Sequence, residues 1–325
     1  MPGEDYSEST RVVLGELGDL PHVVELPSRG PTASMIGRTL ALVSELGADL
    51  QPAGWRLTDS PGLDHRRAKS LLGHDLDVTE ELAQGHSGRF KVQVAGPWTL
   101  AATVERQRGD KVLSDFGARR DLAQALAEGV GDHVAAVQRR IPGAEIVVQV
   151  DEPSLPAVLG GGIATASGFH RHRAVTPADA ARALDWVLTA AASAGASTVV
   201  HCCAPELPFA LLAQTSADAV SFDLGLFSPA SYDALGGWVD DDRGVWLGVV
   251  PTTGSEVPPS EADVTREVLS WWSHVGHSEL ETRPPTTLTP TCGLAKATPA
   301  WARAALGLCS RVARNLSVEQ GRMGG

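Results

Sequence analysis

The 325-residue chain lacks the features that mark secreted, membrane-spanning or nucleic-acid-binding proteins. It has no apolar run long enough to cross a bilayer, and its polar start, MPGEDYSESTR, lacks the basic and apolar regions of a signal peptide. The formal net charge of -12 argues against a nucleic-acid partner, because phosphate binding requires a basic surface. We therefore expect a cytoplasmic protein that binds neither membranes nor nucleic acid.

Cysteine is scarce, with four in the whole chain, which is too few for a disulfide framework. Two of them are adjacent in VVHCCAP (199–205), directly after a histidine. Adjacent cysteines cannot easily pair with each other, because a disulfide requires its Cα atoms at a fixed separation. In a reducing compartment such residues more often bind a metal or take part in catalysis.

Short β-rich runs alternate with longer Ala/Leu-rich amphipathic segments along most of the chain. The predicted strands are residues 22–26, 54–57, 90–95, 145–150, 198–203, 219–223, 245–250 and 286–291. The predicted helices are residues 34–50, 121–140, 177–194, 260–275 and 298–316.

Near-continuous apolar strands between helices are typical of a parallel sheet that is covered on both faces. Eight such strands predict an α/β fold, a single-domain (β/α)8 TIM-type barrel over residues 21–318. An open doubly wound sheet is the alternative, but the chain has no Gly-rich phosphate or dinucleotide loop. We expect residues 1–20, a flexible N-terminal segment, and residues 319–325 to be frayed, and residues 57–87 to form a long loop over the barrel mouth.

Polar residues with metal-binding side chains follow several predicted strands, at the end where the chemistry of such barrels is found. These residues are His201, Cys203, Asp223 and Cys292. Side chains alternate along a strand, so His201 and Cys203 share a face, and Cys202 points the other way as a packing residue. One imidazole, two thiols and one carboxylate form a chemically complete tetrahedral zinc site. The alternative is that these cysteines, like Cys309 in its apolar helical pattern, are small packing residues and His201 is a hydrogen-bonded core histidine.

The acidic pair Asp151-Glu152 follows the buried run VVQV. Two charges at the end of such a strand require partners or a polar ligand. One could accept hydrogen bonds from a substrate ammonium while the other supports the zinc ligands, so both are candidate catalytic residues. The alternative is a helix cap before Pro153, although a cap requires only one acid.

Five stretches of the chain together resemble the C-terminal catalytic domain of cobalamin-independent methionine synthase, in the superfamily that also contains uroporphyrinogen decarboxylase. In the family's order these stretches are VAGPWTLA (94–101), VVQVDEPSL (147–155), VVHCCAP (199–205), ADAVSFDLG (217–225) and TPTCGLAKATP (289–299). The large N-terminal half of full-length methionine synthases is absent, so the chain is similar to a short, core-only form.

The resemblance implies a barrel that binds Zn²⁺ and transfers a methyl group to a thiol, with homocysteine giving methionine. Carried over by position, the family's zinc ligands fall on His201, Cys203, Asp223 and Cys292, with Asp223 in the place of a family glutamate. The family's aspartate that holds the homocysteine amino group falls on Asp151. Ser28 is the candidate for a substrate-binding serine of the family's first strand loop.

The chain departs from the family where the methyl donor binds. Pro251, Thr252 and Thr253 occupy the place of a family histidine that is proposed to activate the donor. No motif matches the family's second homocysteine contact, although Asp59 and Asp64 lie in that region. The missing histidine favours a methyl-corrinoid protein over methyltetrahydrofolate as the donor.

Three alternatives remain open from the sequence. The acceptor could be another thiol, such as coenzyme M, or the chain could be a catalytically idle zinc- or thiol-binding barrel. A decarboxylase of the uroporphyrinogen type is disfavoured, because that chemistry requires no zinc ligands.

Overall fold

The structure is a computed structural model that describes residues 1–43, 46–228, 231–254, 258–277 and 284–323, with side chains to residue 317. The strands are β1 (Gly47–Gln51), β2 (Gly54–Thr58), β3 (Gly88–Ala95), β4 (Ala144–Asp151), β5 (Ser197–Cys202), β6 (Ala219–Asp223), β7 (Gly244–Val250) and β8 (Thr286–Pro290). The helices are α1 (Tyr6–Glu16), α2 (Met35–Leu40), α3 (Leu63–Leu82), α4 (Pro97–Thr103), α5 (Phe116–Arg140), α6 (Leu155–Leu159), α7 (Pro177–Ser193), α8 (Phe209–Leu212), α9 (Tyr232–Asp240), α10 (Glu261–Val275) and α11 (Pro299–Met323).

Strands β3 to β8 form one parallel sheet in chain order, with helices between successive strands, so the predicted α/β class is confirmed. The predicted eight-stranded barrel is not reproduced within the described residues. Segment 22–26 contributes a single bridge, between His22 and Lys91, and segment 54–57 pairs antiparallel with β1 in a separate hairpin. The sheet is therefore a curled six-stranded half-barrel with one extra bridge at its β3 edge.

The hairpin also explains why the predicted helix 34–50 is wrong. Helix α2 ends at Leu40, and Gly47–Gln51 is the first strand of the hairpin. A two-residue turn at 52–53 leads into Gly54, whose φ of 128° is accessible mainly to glycine. Pairing between β1 and β2 thus overrides the helical tendency of the last residues of the predicted helix.

Two other predicted irregular segments are helical in the structure. The 57–87 segment contains α3, whose inward stripe of Ala68, Leu72, Leu76 and Thr79 is buried at helical spacing. Within residues 1–20, α1 begins at an Asp5 cap, and the Tyr6 hydroxyl lies 2.8 Å from Thr79 Oγ1. The structure therefore differs from the expectation of a frayed start, while the domain boundary at residue 20 stays a prediction.

The other predicted helices and strands are confirmed, apart from small shifts at their ends. Thr176 caps α7 through the Asp179 amide, and Ser260 and Asp263 form a reciprocal capping box at the start of α10. Helix α11 continues to Met323, past the point where we expected the chain to fray. No helix in the described ranges combines the length and hydrophobicity that crossing a bilayer requires.

The two faces of the sheet have different surroundings. One face packs under the helices and forms the main hydrophobic core, whereas the inner face carries a small separate apolar cluster of Val147, Val199, Ala219 and Trp246. Further along the strands, towards their C-terminal ends, the inner positions become polar. The fold thus places polar side chains at the end of the sheet where parallel α/β proteins bind ligands.

Candidate metal and substrate site

The candidate site lies at the C-terminal ends of the parallel strands. In the sheet register Asp151 of β4 pairs with His201 of β5, which in turn pairs with Ser221 of β6. Cys203 directly follows β5, and Cys292 lies two residues beyond the end of β8. Residues that are distant in sequence therefore meet at one edge because their strands are neighbours.

Three of the four predicted zinc ligands form a compact cluster. The candidate ligand atoms of His201, Cys203 and Cys292 all lie within 4.8 Å of one another, and the two sulfur atoms are 3.1 Å apart. Cys292 is exposed and the other two are half-buried, so the cluster is open to solvent. A zinc ion fits this donor set, because two thiols and one imidazole are ligands that zinc prefers, and one position of a tetrahedron is left open.

The two clustered thiols have pKa values that move in opposite directions. Hydrogen bonds from Cys203 and from the His201 imidazole lower the pKa of Cys292 to about 4. The same hydrogen bond with Cys292, together with burial, raises the pKa of Cys203 above its ordinary value. The lowered pKa favours the thiolate form of Cys292, which is the form that binds metals.

Ser221, which the sequence analysis missed, orients His201. Its Oγ lies 2.9 Å from His201 Nδ1, on the inner face of the neighbouring strand. When Nδ1 carries the proton and donates to Ser221, Nε2 keeps the lone pair that a metal requires. Ser221 lies two residues before Asp223 on β6, so both side chains are on the same face of the sheet. This spacing could have identified Ser221 from the sequence.

Asp223 lies outside the three-residue cluster. Its Oδ1 accepts a hydrogen bond from the Gly225 amide at 2.9 Å, so the carboxylate is turned towards the short 3-10 turn Leu224–Leu226 that follows β6. Burial raises the pKa of this half-buried carboxyl, and the nearby Cys292 raises it further. A role for Asp223 as the fourth ligand stays a prediction.

Asp151 is buried beside His201 and belongs to a chain of polar groups on the inner face. Gln149 Nε2 donates to Asp151 Oδ1 at 2.7 Å, and Lys91 Nζ donates to Gln149 Oε1 at 3.1 Å. Burial raises the pKa of Asp151, whereas the adjacent His201 and Lys91 lower it. The sequence analysis missed both Gln149 and Lys91. Its prediction that Asp151 contacts substrate is compatible with this position and stays a prediction.

Glu152 has a structural role in the described geometry. It is fully buried, its Oε1 accepts from the Trp98 amide at 2.9 Å, and its Oε2 accepts from the Thr99 amide and hydroxyl at 2.8 and 2.7 Å. A Cβ at Gly96 would approach Glu152 Oε1 to 2.3 Å, so only glycine allows the carboxylate this close to the start of α4. Burial raises the pKa of Glu152 to about 7. The catalytic role predicted for it remains untested.

The remaining candidates lie around the mouth. Ser28 is exposed in the short turn Pro27–Arg29 that follows segment 22–26, and its contact with substrate stays a prediction. Asp59 accepts from the Gln107 amide, and Asp64 pairs with Arg67 at the start of α3.

Residues 251–253, predicted to occupy the place of the family's donor-side histidine, follow β7. This segment begins with Pro251, whose carbonyl accepts a hydrogen bond from the indole of Trp301 at 3.1 Å.

The two cysteines predicted to be packing residues are buried, as expected. Cys202 is 0% exposed and Cys309 is 2% exposed, and burial raises the pKa of each thiol to about 12. No cysteine is in a disulfide. Cys203 and Cys292 are thus distinguished from the other two by their greater exposure and by their contact with each other.

A parallel α/β sheet with imidazole and thiol groups clustered at its C-terminal strand ends defines the class, an α/β protein with a candidate metal site. Residues 81–315 match the family model described as cobalamin-independent synthase, catalytic domain. This match spans more than half of the chain, and the chain belongs to the cobalamin-independent methionine synthase family.

Comparison with solved structures gives a consistent fold. A B12-independent methionine synthase from Shewanella sp. W3-18-1, in complex with selenomethionine, superposes with a TM-score of 0.51 at 15% identity. That match covers 75% of this chain and 67% of the other. A D-allulose 3-epimerase from Methylomonas sp. matches at a TM-score of 0.41 and 13% identity, over 85% of this chain and 96% of the other. The first match shows similarity of fold alone, and the second is too weak to support any conclusion. No curated protein matches the sequence.

Proposed function

We propose that the chain is a zinc-dependent methyltransferase that moves a methyl group to a thiol, with homocysteine as the acceptor and methionine as the product. The main support is the cluster of His201, Cys203 and Cys292, which could provide three zinc ligands and in which Cys292 is exposed. Family membership supports methyl transfer as the reaction.

The chemical requirement is a nucleophilic sulfur at neutral pH. A free thiol with a pKa near 8.5 is mostly protonated there, and the thiolate is the reactive form. Bound zinc would supply Lewis acidity that favours the thiolate of the substrate. His201, Cys203 and Cys292 would hold the metal, and Ser221 would keep the imidazole in its binding orientation through the 2.9 Å contact.

Asp151 would hold the amino group of an amino-acid thiol. It lies beside His201 in the register and is 9% exposed, and its carboxylate form would pair with an ammonium. A positioned carboxylate of this kind orients the substrate sulfur relative to the metal and the methyl donor. Glu152 would act indirectly, by holding α4 against the end of β4.

We propose a methyl-corrinoid protein as the donor, rather than methyltetrahydrofolate. The support is chemical, because Pro251 and the two threonines after it offer no acid at the place of the family's donor-side histidine. We further propose that the reaction takes place in the reducing cytoplasm, where two clustered thiols persist without forming a disulfide.

The test is a matrix of donors and acceptors with the zinc-loaded protein. Methylcobalamin and methyltetrahydrofolate would each be offered with homocysteine and with coenzyme M, and the methylated thiols would be quantified by mass spectrometry. We expect methionine from methylcobalamin and homocysteine, at a rate at least tenfold above that from methyltetrahydrofolate. A tenfold ratio corresponds to a difference of about 1.4 kcal/mol in the activation free energy. Equal rates from both donors would contradict the corrinoid assignment. Zinc binding without turnover of either thiol would contradict the methyltransferase assignment and favour an idle zinc-binding protein.

A further inference from the structure

A three-residue hydrogen-bonded chain connects the inner face of the sheet to the carboxylate proposed to bind substrate. Lys91 lies on β3, and Gln149 and Asp151 lie two residues apart on β4. In the register Lys91 pairs with Val147, one inner-face layer below Gln149, so the long lysine side chain reaches up to the glutamine amide. The chain of groups extends from the layer of the apolar cluster, where Lys91 pairs with Val147, to the layer of His201, which pairs with Asp151.

The chemistry of the two ends determines how the amide is oriented. A lysine ammonium can only donate hydrogen bonds, so Gln149 Oε1 faces Lys91 at 3.1 Å. The amide NH₂ group is then directed at Asp151 Oδ1, which accepts its hydrogen bond at 2.7 Å. If Lys91 lost its charge, the amide could rotate and present its oxygen to the carboxylate.

This arrangement constrains Asp151. One carboxylate oxygen is held by Gln149, and within the described ranges the other accepts no hydrogen bond from protein. The residue is 9% exposed, so a ligand that covers it without supplying a cation would leave a buried charge unpaired. A ligand that supplies an ammonium would pair with the free oxygen.

We propose that Gln149, oriented by Lys91, is a positioning residue that fixes the Asp151 carboxylate and thereby makes the site select thiols that carry an amino group. This inference rests on the proposed function, because it assumes that a thiol substrate binds beside the metal ligands. The site would discriminate against thiols without an amino group, because such a thiol leaves the Asp151 carboxylate without a cationic partner.

The test compares homocysteine with mercaptobutanoate, which has the same carbon chain and thiol but no amine. Gln149→Glu retains the shape and the acceptor for Lys91 but removes the donor to Asp151, and Lys91→Met removes the group that orients the amide. In both variants we expect KM for homocysteine to rise about tenfold or more, the loss typical of one charge-assisted hydrogen bond. We expect kcat, zinc content and KM for mercaptobutanoate to remain close to those of the wild type.

Gln93→Glu is the matched control. Gln93 pairs with Gln149 in the register, but its amide donates to the Val23 carbonyl and not to Asp151. The same substitution there should leave the preference for homocysteine over mercaptobutanoate unchanged. An unchanged preference in both Gln149→Glu and Lys91→Met, or an equal loss with both thiols, would overturn the proposal.

Calorimetric binding of the two thiols to the zinc-loaded protein separates this inference from the proposed function. If the wild type transfers no methyl group but binds homocysteine more tightly than mercaptobutanoate, and Gln149→Glu removes that preference, the positioning role holds while the methyltransferase assignment fails. If the wild type binds both thiols equally, the positioning role is wrong, whatever the outcome of the methyl-transfer assay.

Discussion

Replacing Cys292 with alanine is expected to reduce bound zinc from about one ion per chain to near zero, and to abolish methyl transfer with it. Cys292 supplies one of the three clustered ligands, and it is the sulfur whose pKa is lowered to about 4 by its neighbours. Without it, one thiol and one imidazole remain, which is too small a donor set for a stable zinc site. The measurement is elemental analysis of protein purified without added metal.

Two comparisons make this result specific. Cys309→Ala removes a cysteine that is buried in α11 outside the cluster and should keep the zinc content of the wild type. Asp223→Asn tests the fourth predicted ligand. Because the Asp223 carboxylate is turned towards Gly225, we expect this variant to retain more zinc than Cys292→Ala. Full zinc content in folded Cys292→Ala, verified by circular dichroism, would show that the metal is bound elsewhere.

Asp75→Ala is expected to give the largest loss of folding stability, about 3–5 kcal/mol in the free energy of unfolding. Asp75 is completely buried on α3 and pairs with two arginines, Arg29 at 2.6 Å and Arg38 at 2.9 Å. Removing the carboxylate would leave two guanidinium groups in the interior, with Glu25, 3.5 Å from Arg38, as the remaining carboxylate partner among the described residues. Urea unfolding of the variant and the wild type measures the difference.

The matched control for this prediction lies on the same helix. Asp77 pairs with Arg140 at 3.0 Å, but its side chain is 65% exposed, so Asp77→Ala should cost less than about 1 kcal/mol. Similar losses in the two variants would mean that the buried pair contributes no more than a surface pair. Since Arg29 adjoins Ser28, Asp75 also fixes the loop that carries this candidate substrate contact.

The cluster of His201, Cys203 and Cys292 could be predicted because it depends on simple strand geometry. His201 and Cys203 share a face through the two-residue alternation, and Cys292 follows another strand that ends at the same edge. The position of Asp223 could not be predicted, because a local hydrogen bond to Gly225 determines where its short side chain points. Lys91 and Gln149 were missed for a related reason, since their contact depends on the register between β3 and β4.

The errors in the fold also have physical causes. The 57–87 segment was interpreted as a loop because it is rich in Gly, Asp and His, yet it contains α3, where Arg29 and Arg38 from distant segments stabilise the buried Asp75. The predicted number of strands in the main sheet was wrong because residues 54–57 pair with β1 in a separate hairpin and segment 22–26 contributes only the bridge at His22. Strands β4 to β7 were assigned correctly because they are mostly buried apolar runs, and a strand buried on both faces has the clearest sequence pattern.

The most direct test of the account is to measure methyl transfer to homocysteine as a function of bound zinc. The protein would be stripped with a chelator, reloaded in steps, and assayed with methylcobalamin at each zinc content. The account predicts that activity is absent in the stripped protein, rises in proportion to zinc, and stops rising at about one ion per chain. Equal activity in the stripped and reloaded protein would contradict it, as would full zinc loading that yields no methionine.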